Sequence, residues 1–120
     1  MADPFVHIEL NTTDPAKAKT FYGKLFDWQL EDIQMEMGTY TLIRVGEGTG
    51  GGIMKHPMPG QPSVWIPYVD VGDVRARTEK ARSLGGIIIK EVTEVMDRGW
   101  FSIVLDPTGA VVGLWEPKNK

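Results

Sequence analysis

The stretch Gly99–Pro117, GWFSIVLDPTGAVVGLWEP, decides how the rest of the chain is read. It predicts a hairpin: a β-rich run from Trp100 to Leu105, a turn written Asp106-Pro107-Thr108-Gly109, and a second apolar run from Ala110 to Trp115. Proline at the second turn position and glycine at the fourth suit a type I turn, because proline pre-sets φ and glycine relieves the exit. The second run closes on a carboxylate, Glu116. Either that group meets water at the strand end, or it points into a cavity and holds something there.

Working outward from the hairpin, the same kinds of segment occur twice. Phe5 to Leu10 alternates, with Phe5, His7 and Glu9 on one face and Val6, Ile8 and Leu10 on the other, which predicts a strand. Asn11 to Asp14 supplies capping residues before Pro15, and Ala18, Phe21, Tyr22 and Leu25 follow at helical spacing. Strands are expected to begin at Trp28 and to cover Gly38 to Val45 and Gly50 to Met54, with the loose loop GEGTGGG before the last. After the proline-rich linker HPMPGQPS come a strand over Val64 to Val71, a helix over GDVRARTEKARSLG, a strand over Ile87 to Val92, and the hairpin.

An offset of 59 lays Asp14 on Asp73 and Leu25 on Leu84; an offset of 61 lays Gly38 on Gly99, Tyr40 on Phe101 and Gly52 on Gly113. Each half therefore reads βαβββ, with modules at 1–57 and 62–120. Units this small cannot each hide a sheet's apolar face alone, so they are expected to pack as one domain.

Composition narrows the function classes. A formal charge of −3 with scattered cations gives no footprint for nucleic acid or an anionic membrane. The chain has no cysteine, which excludes thiolate nucleophiles and disulfides. The opening MADPFVHIEL lacks the basic and apolar regions of a signal peptide, which predicts a cytoplasmic setting. The GTGGG run lacks the Lys-Ser/Thr ending and the strand-to-helix context of a phosphate loop. Arg75, Arg77, Lys80 and Arg82 read as a solvated helix face.

With FVHIELNTTDPAKAKTFYGKLFDW at one end and DPTGAVVGLWEP at the other, this tandem pattern resembles the vicinal oxygen chelate superfamily, the group of glyoxalases, bleomycin resistance proteins and extradiol dioxygenases. The resemblance implies an α+β fold whose two modules form a curved mixed sheet, a cup with helices outside, often assembled as a homodimer. In the family's enzymes it also implies a divalent metal held by residues of the first and last strands. On this chain those positions are His7 and its repeat partner Ile66, and Glu116 and its partner Lys55.

The donor set is incomplete. A catalytic divalent ion needs about three protein donors plus open positions. Ile66 has none to offer, and Lys55 as an ammonium has no lone pair. His56 would complete a set with His7 and Glu116 only through a bulge, and both strand alternation and the following Pro57 oppose that. Without a metal, Lys55 and Glu116 would pair across the cup, with His7 and Glu116 as candidate acid–base groups. Tyr40 and Phe101 sit at equivalent places on the third strands, and Met54 and Trp115 precede Lys55 and Glu116. If their face is the concave one, these residues with Lys55 would line a cup for a flat ligand.

The expectation is thus a small-molecule binder for an aromatic or apolar ligand, with no cofactor required and a divalent metal as the alternative. Two other classes compete with it. One is a glyoxalase-like lyase or dioxygenase whose metal site is finished by His56 or a partner chain. The other is a ligand-free association module.

Overall fold

Both helices begin where an aspartate stands three residues ahead of a free backbone N–H. Asp14 accepts from Lys17 N at 3.1 Å and Asp73 from Ala76 N at 3.0 Å, so each satisfies one of the N–H groups a first turn leaves unpaired. In the first case Pro15 adds a pre-set φ at the opening position.

The computed structural model describes residues 3–35 and 38–119; residues 36–37 and the outermost ends of the expected modules lie outside them. The order is β1 (Phe5–Thr12), α1 (Pro15–Leu25), β2 (Gln29–Met35), β3 (Gly38–Arg44), β4 (Gly51–Lys55), β5 (Val64–Asp70), α2 (Val74–Ser83), β6 (Ile87–Val95), β7 (Gly99–Leu105) and β8 (Val111–Pro117). This is βαβββ twice over, an α+β fold.

The chain gathers into two compact units, one of His7–Ile66 and one running from Pro67 onward together with the residues up to Val6. In the His7–Ile66 unit the strands lie in the order β2-β3-β4-β1. The pairs β2–β3 and β3–β4 are antiparallel and β4–β1 is parallel. In the other unit the order is β6-β7-β8-β5, again antiparallel until the last, parallel pair. In each, the first and last strands of the module end up as neighbours.

Each helix covers one face of its own sheet. Leu10, Ile43 and Ile53 form a buried cluster against Ala18 and Tyr22 of α1, with Trp28 and Trp65 beside them. Val71, Val74, Val104 and Leu114 do the same in the other unit, with Ala81, Trp100 and Val112 packed against them. Burial of aliphatic side chains of this size contributes about 1.5–3 kcal/mol each. Thr78 and Ser102, fully buried between α2 and β7, bond to each other at 2.8 Å. The turn Asp106–Gly109 closes as the residues demand: Gly109 N donates to Asp106 O at 3.0 Å with φ at +100°, and Asp106 Oδ1 accepts from Thr108 N and Ala110 N.

The glycine run GEGTGGG ends inside β4, in keeping with the strand expected over Gly50 to Met54. Gly51 is buried within the strand, and a Cβ there would stand 1.8 Å from Ile8 O, so the glycine permits the close approach of β4 to β1.

Candidate functional site

Strand alternation fixes what each sheet presents on the face away from its helix. On β1, Leu10 turns to α1, so Glu9 and Asn11 turn the other way, and His7 lies in phase with them. On β3, Ile43 turns to α1 and Tyr40 shares the opposite face with Leu42; on β4, Ile53 turns to α1 and Gly52 and Met54 turn away.

There a hydrogen-bonded chain runs through four side chains. Asn11 Nδ2 donates to Glu9 Oε1 at 3.0 Å, and the Tyr40 hydroxyl donates to Glu9 Oε2 at 2.9 Å. His7 Nε2 lies 2.7 Å from that hydroxyl, its ring roughly parallel to the phenol at a 19° interplanar angle. Since the single phenol proton goes to Glu9, the network assigns the proton of this contact to His7 Nε2. Glu9 is 8% exposed and Asn11 3%. A carboxylate buried to that degree is held by its donors, each charge-assisted bond contributing about 1.5–3 kcal/mol.

Tyr40 reaches this chain from β3 although β4 lies between β3 and β1. It can do so because β4 carries no side chain at the crossing: a Cβ at Gly52 would stand 2.0 Å from the Tyr40 hydroxyl. The other unit repeats the device. Tyr68 of β5 lies over Gly113 of β8, where a Cβ would be 2.3 Å from the ring, and meets Phe101 of β7 edge-on at 6.2 Å between centroids. Trp115 shares this face, its ring over Gly99. Tyr40 and Phe101 therefore lie on sheet faces turned away from the helices, each in its own unit.

Glu116 does not take the place expected of it. Leu114 packs into the α2 core, and Glu116, two residues on, turns to the same side, where Oε1 accepts from Val74 N at 3.0 Å. The carboxylate caps the first turn of α2, where the helix dipole favours negative charge. Lys55 is exposed at the end of β4. His56 lies in the turn after β4, where Nδ1 accepts from Met58 N at 3.1 Å; no bulge brings it inward. Among the described residues no three His, Cys, Asp or Glu side chains cluster to hold a metal ion.

Sequence reading passed over Glu9 and Asn11, the buried members of the network. The signal was available: His7, Glu9 and Asn11 form an unbroken polar row opposite Val6, Ile8 and Leu10.

A model of the Glyoxalase/Bleomycin resistance protein/Dioxygenase superfamily matches residues 5–114. The chain belongs to this superfamily. Among proteins of similar sequence, the "Putative glyoxylase CFP32" of Mycobacterium tuberculosis (strain CDC 1551 / Oshkosh) is 35% identical over 116 residues, which cover 91% of this chain and 44% of that protein. The anthracycline biosynthesis protein DnrV of Streptomyces peucetius is 24% identical over 122 residues, covering 89% and 44%. The chain thus spans less than half the length of these relatives. The crystal structure of hypothetical protein BH1468 from Bacillus halodurans C-125 superposes with a TM-score of 0.76 at 12% identity, covering 100% of this chain and 98% of that one; at that identity the likeness shows the fold alone. No helix among the described residues of this superfamily member is long and apolar enough to cross a membrane.

Proposed function

We propose that this glyoxalase-superfamily chain binds a small, flat, aromatic or apolar molecule without requiring a metal, and that His7, Tyr40 and Glu9 form its polar anchor. The observation that carries this reading is the chain Asn11–Glu9–Tyr40–His7, a hydrogen-bonded polar group beside the apolar side chains Ile33, Leu42 and Met54 on the sheet face turned away from α1, the Arg44–Glu31 ion pair lying farther out on β2 and β3. Such a combination of few convergent polar groups and apolar surroundings is what small-molecule sites use for orientation and affinity respectively. Leu42 and Met54 flank the anchor on the same face. Within its own unit the aromatic face of Tyr68, Phe101 and Trp115 is a second surface suited to stacking. The anthracycline-biosynthesis relative adds support for a polycyclic aromatic ligand. The protein is proposed to act in the cytoplasm as a homodimer, which sedimentation velocity would check.

The test is tryptophan-fluorescence titration with hydroxylated polycyclic aromatics in the presence of EDTA. Saturable quenching is expected, weakened about tenfold by Tyr40→Phe through loss of one bond to a charged network. Binding that appears only on adding a divalent metal, or that ignores Tyr40→Phe, would overturn the reading.

A second reading rests on the direction of the same hydrogen bonds. A proton on His7 Nε2 is linked through the Tyr40 hydroxyl to the Glu9 carboxylate, an arrangement able to move a proton to or from a bound carbon or oxygen acid. Turnover that survives EDTA and vanishes in both His7→Ala and Glu9→Gln, with the fold intact, would favour it.

A further inference from the structure

One surface of the Pro67-onward unit has no part in that function. Between α2 and the sheet beneath it runs a groove of about 350 Å³, the small end of the range for small-molecule sites. Its floor is aliphatic: Val71, Val104 and Leu114, themselves core residues, flanked by Val69 and Val112. Along one flank of α2, Arg77, Lys80, Ala81 and Leu84 follow at spacings of three and four and form the rim, together with the Asp3 carboxylate, whose charge Arg77 neutralises. Leu84, 69% exposed, stands at the mouth.

The charges on this helix are unevenly satisfied. Arg82 is paired with Glu79 and Glu91, and Arg77 with Asp3 at 2.9 Å. Lys80 forms no ion pair among the described residues. Arg75 and Lys80 of α2 both lack an ion-pair partner among the described residues, and of these two it is Lys80 that stands at the rim of the aliphatic groove. The two features together match a molecule with an apolar tail and an anionic head. Because the aliphatic floor is recessed beneath the helix rather than protruding, a single free molecule can reach it and a bilayer surface cannot.

We propose that this groove is a binding site for one medium-length aliphatic chain ending in a carboxylate, the chain lying on Val71, Val104 and Leu114 and the head group taken by Lys80. The groove and the His7–Tyr40–Glu9 anchor are independent sites, and either can fail without the other.

Calorimetric titration of the purified protein with hexanoate, octanoate and decanoate tests this. Affinity is expected to rise about threefold to fourfold for each added methylene buried. Lys80→Met keeps an apolar stem and removes the charge; decanoate should then bind about tenfold more weakly, no better than decanol. Methyl NMR signals of Val71, Val104 and Leu114 should shift on binding, and Tyr40→Phe should leave the titration unchanged. The proposal is overturned if affinity is flat with chain length, or if Lys80→Met binds decanoate as the parent does. It is equally overturned if the shifts fall on Leu42 and Met54 instead, or if phosphatidylglycerol vesicles bind where monomeric decanoate does not.

Discussion

The phenol of Tyr40 crosses over Gly52 with no room to spare: a single methyl group on that glycine would lie 2.0 Å from the hydroxyl and 2.2 Å from Cζ. The register sets Gly52 directly between Glu9 on β1 and Leu42 on β3, so bare backbone at this one position is what joins Tyr40 to His7 and Glu9.

Gly52→Ala is therefore expected to evict the ring and to destabilise the protein by about 2–4 kcal/mol, combining overpacking with broken hydrogen bonds. Urea unfolding measures it. In the double variant with Tyr40→Ala the two costs should fall well short of additive. Full additivity would show that the ring and the glycine are not in contact in solution.

Tyr40→Phe keeps the ring and removes one donor from a buried carboxylate, an expected cost of about 1–3 kcal/mol. Glu9→Gln should cost less in the Tyr40→Phe background than alone, because the charge that needed the hydroxyl has gone. Equal costs in both backgrounds would place Glu9 in solvent.

Glu116→Ala removes the acceptor on Val74 N at the start of α2. A loss of about 1 kcal/mol is expected, and a smaller one for Glu116→Gln, which retains an oxygen but not the charge. Both variants should bind aromatic ligands like the parent. If Glu116→Gln abolished binding at unchanged stability, the carboxylate would have to be returned to a ligand role.

Acid stability should depend on Asp106. The Thr108 hydroxyl first, then the backbone N–H groups of Ala110 and Thr108, hold its carboxyl below the usual carboxylate range. A folded value below the unfolded one of about 3.9 means that stability is fully present above that value and is lost as pH falls through the folded one. Melting temperature should accordingly drop less steeply below about pH 4 in Asp106→Asn than in the parent. Parallel curves would show that the turn carboxylate has no part in the acid limb. Asp32, lowered chiefly by Thr41 and then by Lys19, should act in the same direction.

What could be read from the residues was what is decided locally. Asp14 and Asp73 cap helices three residues on, and Asp106 to Gly109 form a turn, whatever the remainder of the chain does. The repeat then extended those local readings into βαβββ twice. Facing is another matter. Whether Glu116 or Trp115 turns toward the helix depends on which side α2 covers, and that is settled by Leu114 and Val112 joining the core. Glu9 and Asn11 were hidden for a similar reason: polar residues on a strand look solvent-facing until a side chain from another strand, here Tyr40, arrives to bury and satisfy them. Gly52 was legible as a residue of the strand over Gly50 to Met54, but its purpose shows only when two neighbouring strands are placed beside it.

The parallel pairs carry a consequence for how the chain reaches this state. Each three-stranded meander closes through short connections, and each helix starts on its own aspartate, but Ile8 meets Gly51 and Tyr68 meets Gly113 only after more than forty intervening residues have been gathered in. Loop-closure entropy makes such joins late events. In stopped-flow experiments Leu10→Ala on β1 is thus expected to accelerate unfolding far more than it slows folding, while Ile43→Val within the meander does the reverse. Were Leu10→Ala instead to slow folding in full proportion to its destabilisation, β1 would belong to the nucleus. On the expected outcome the lifetime of the native state is governed by strands that sit at the centre of no hairpin.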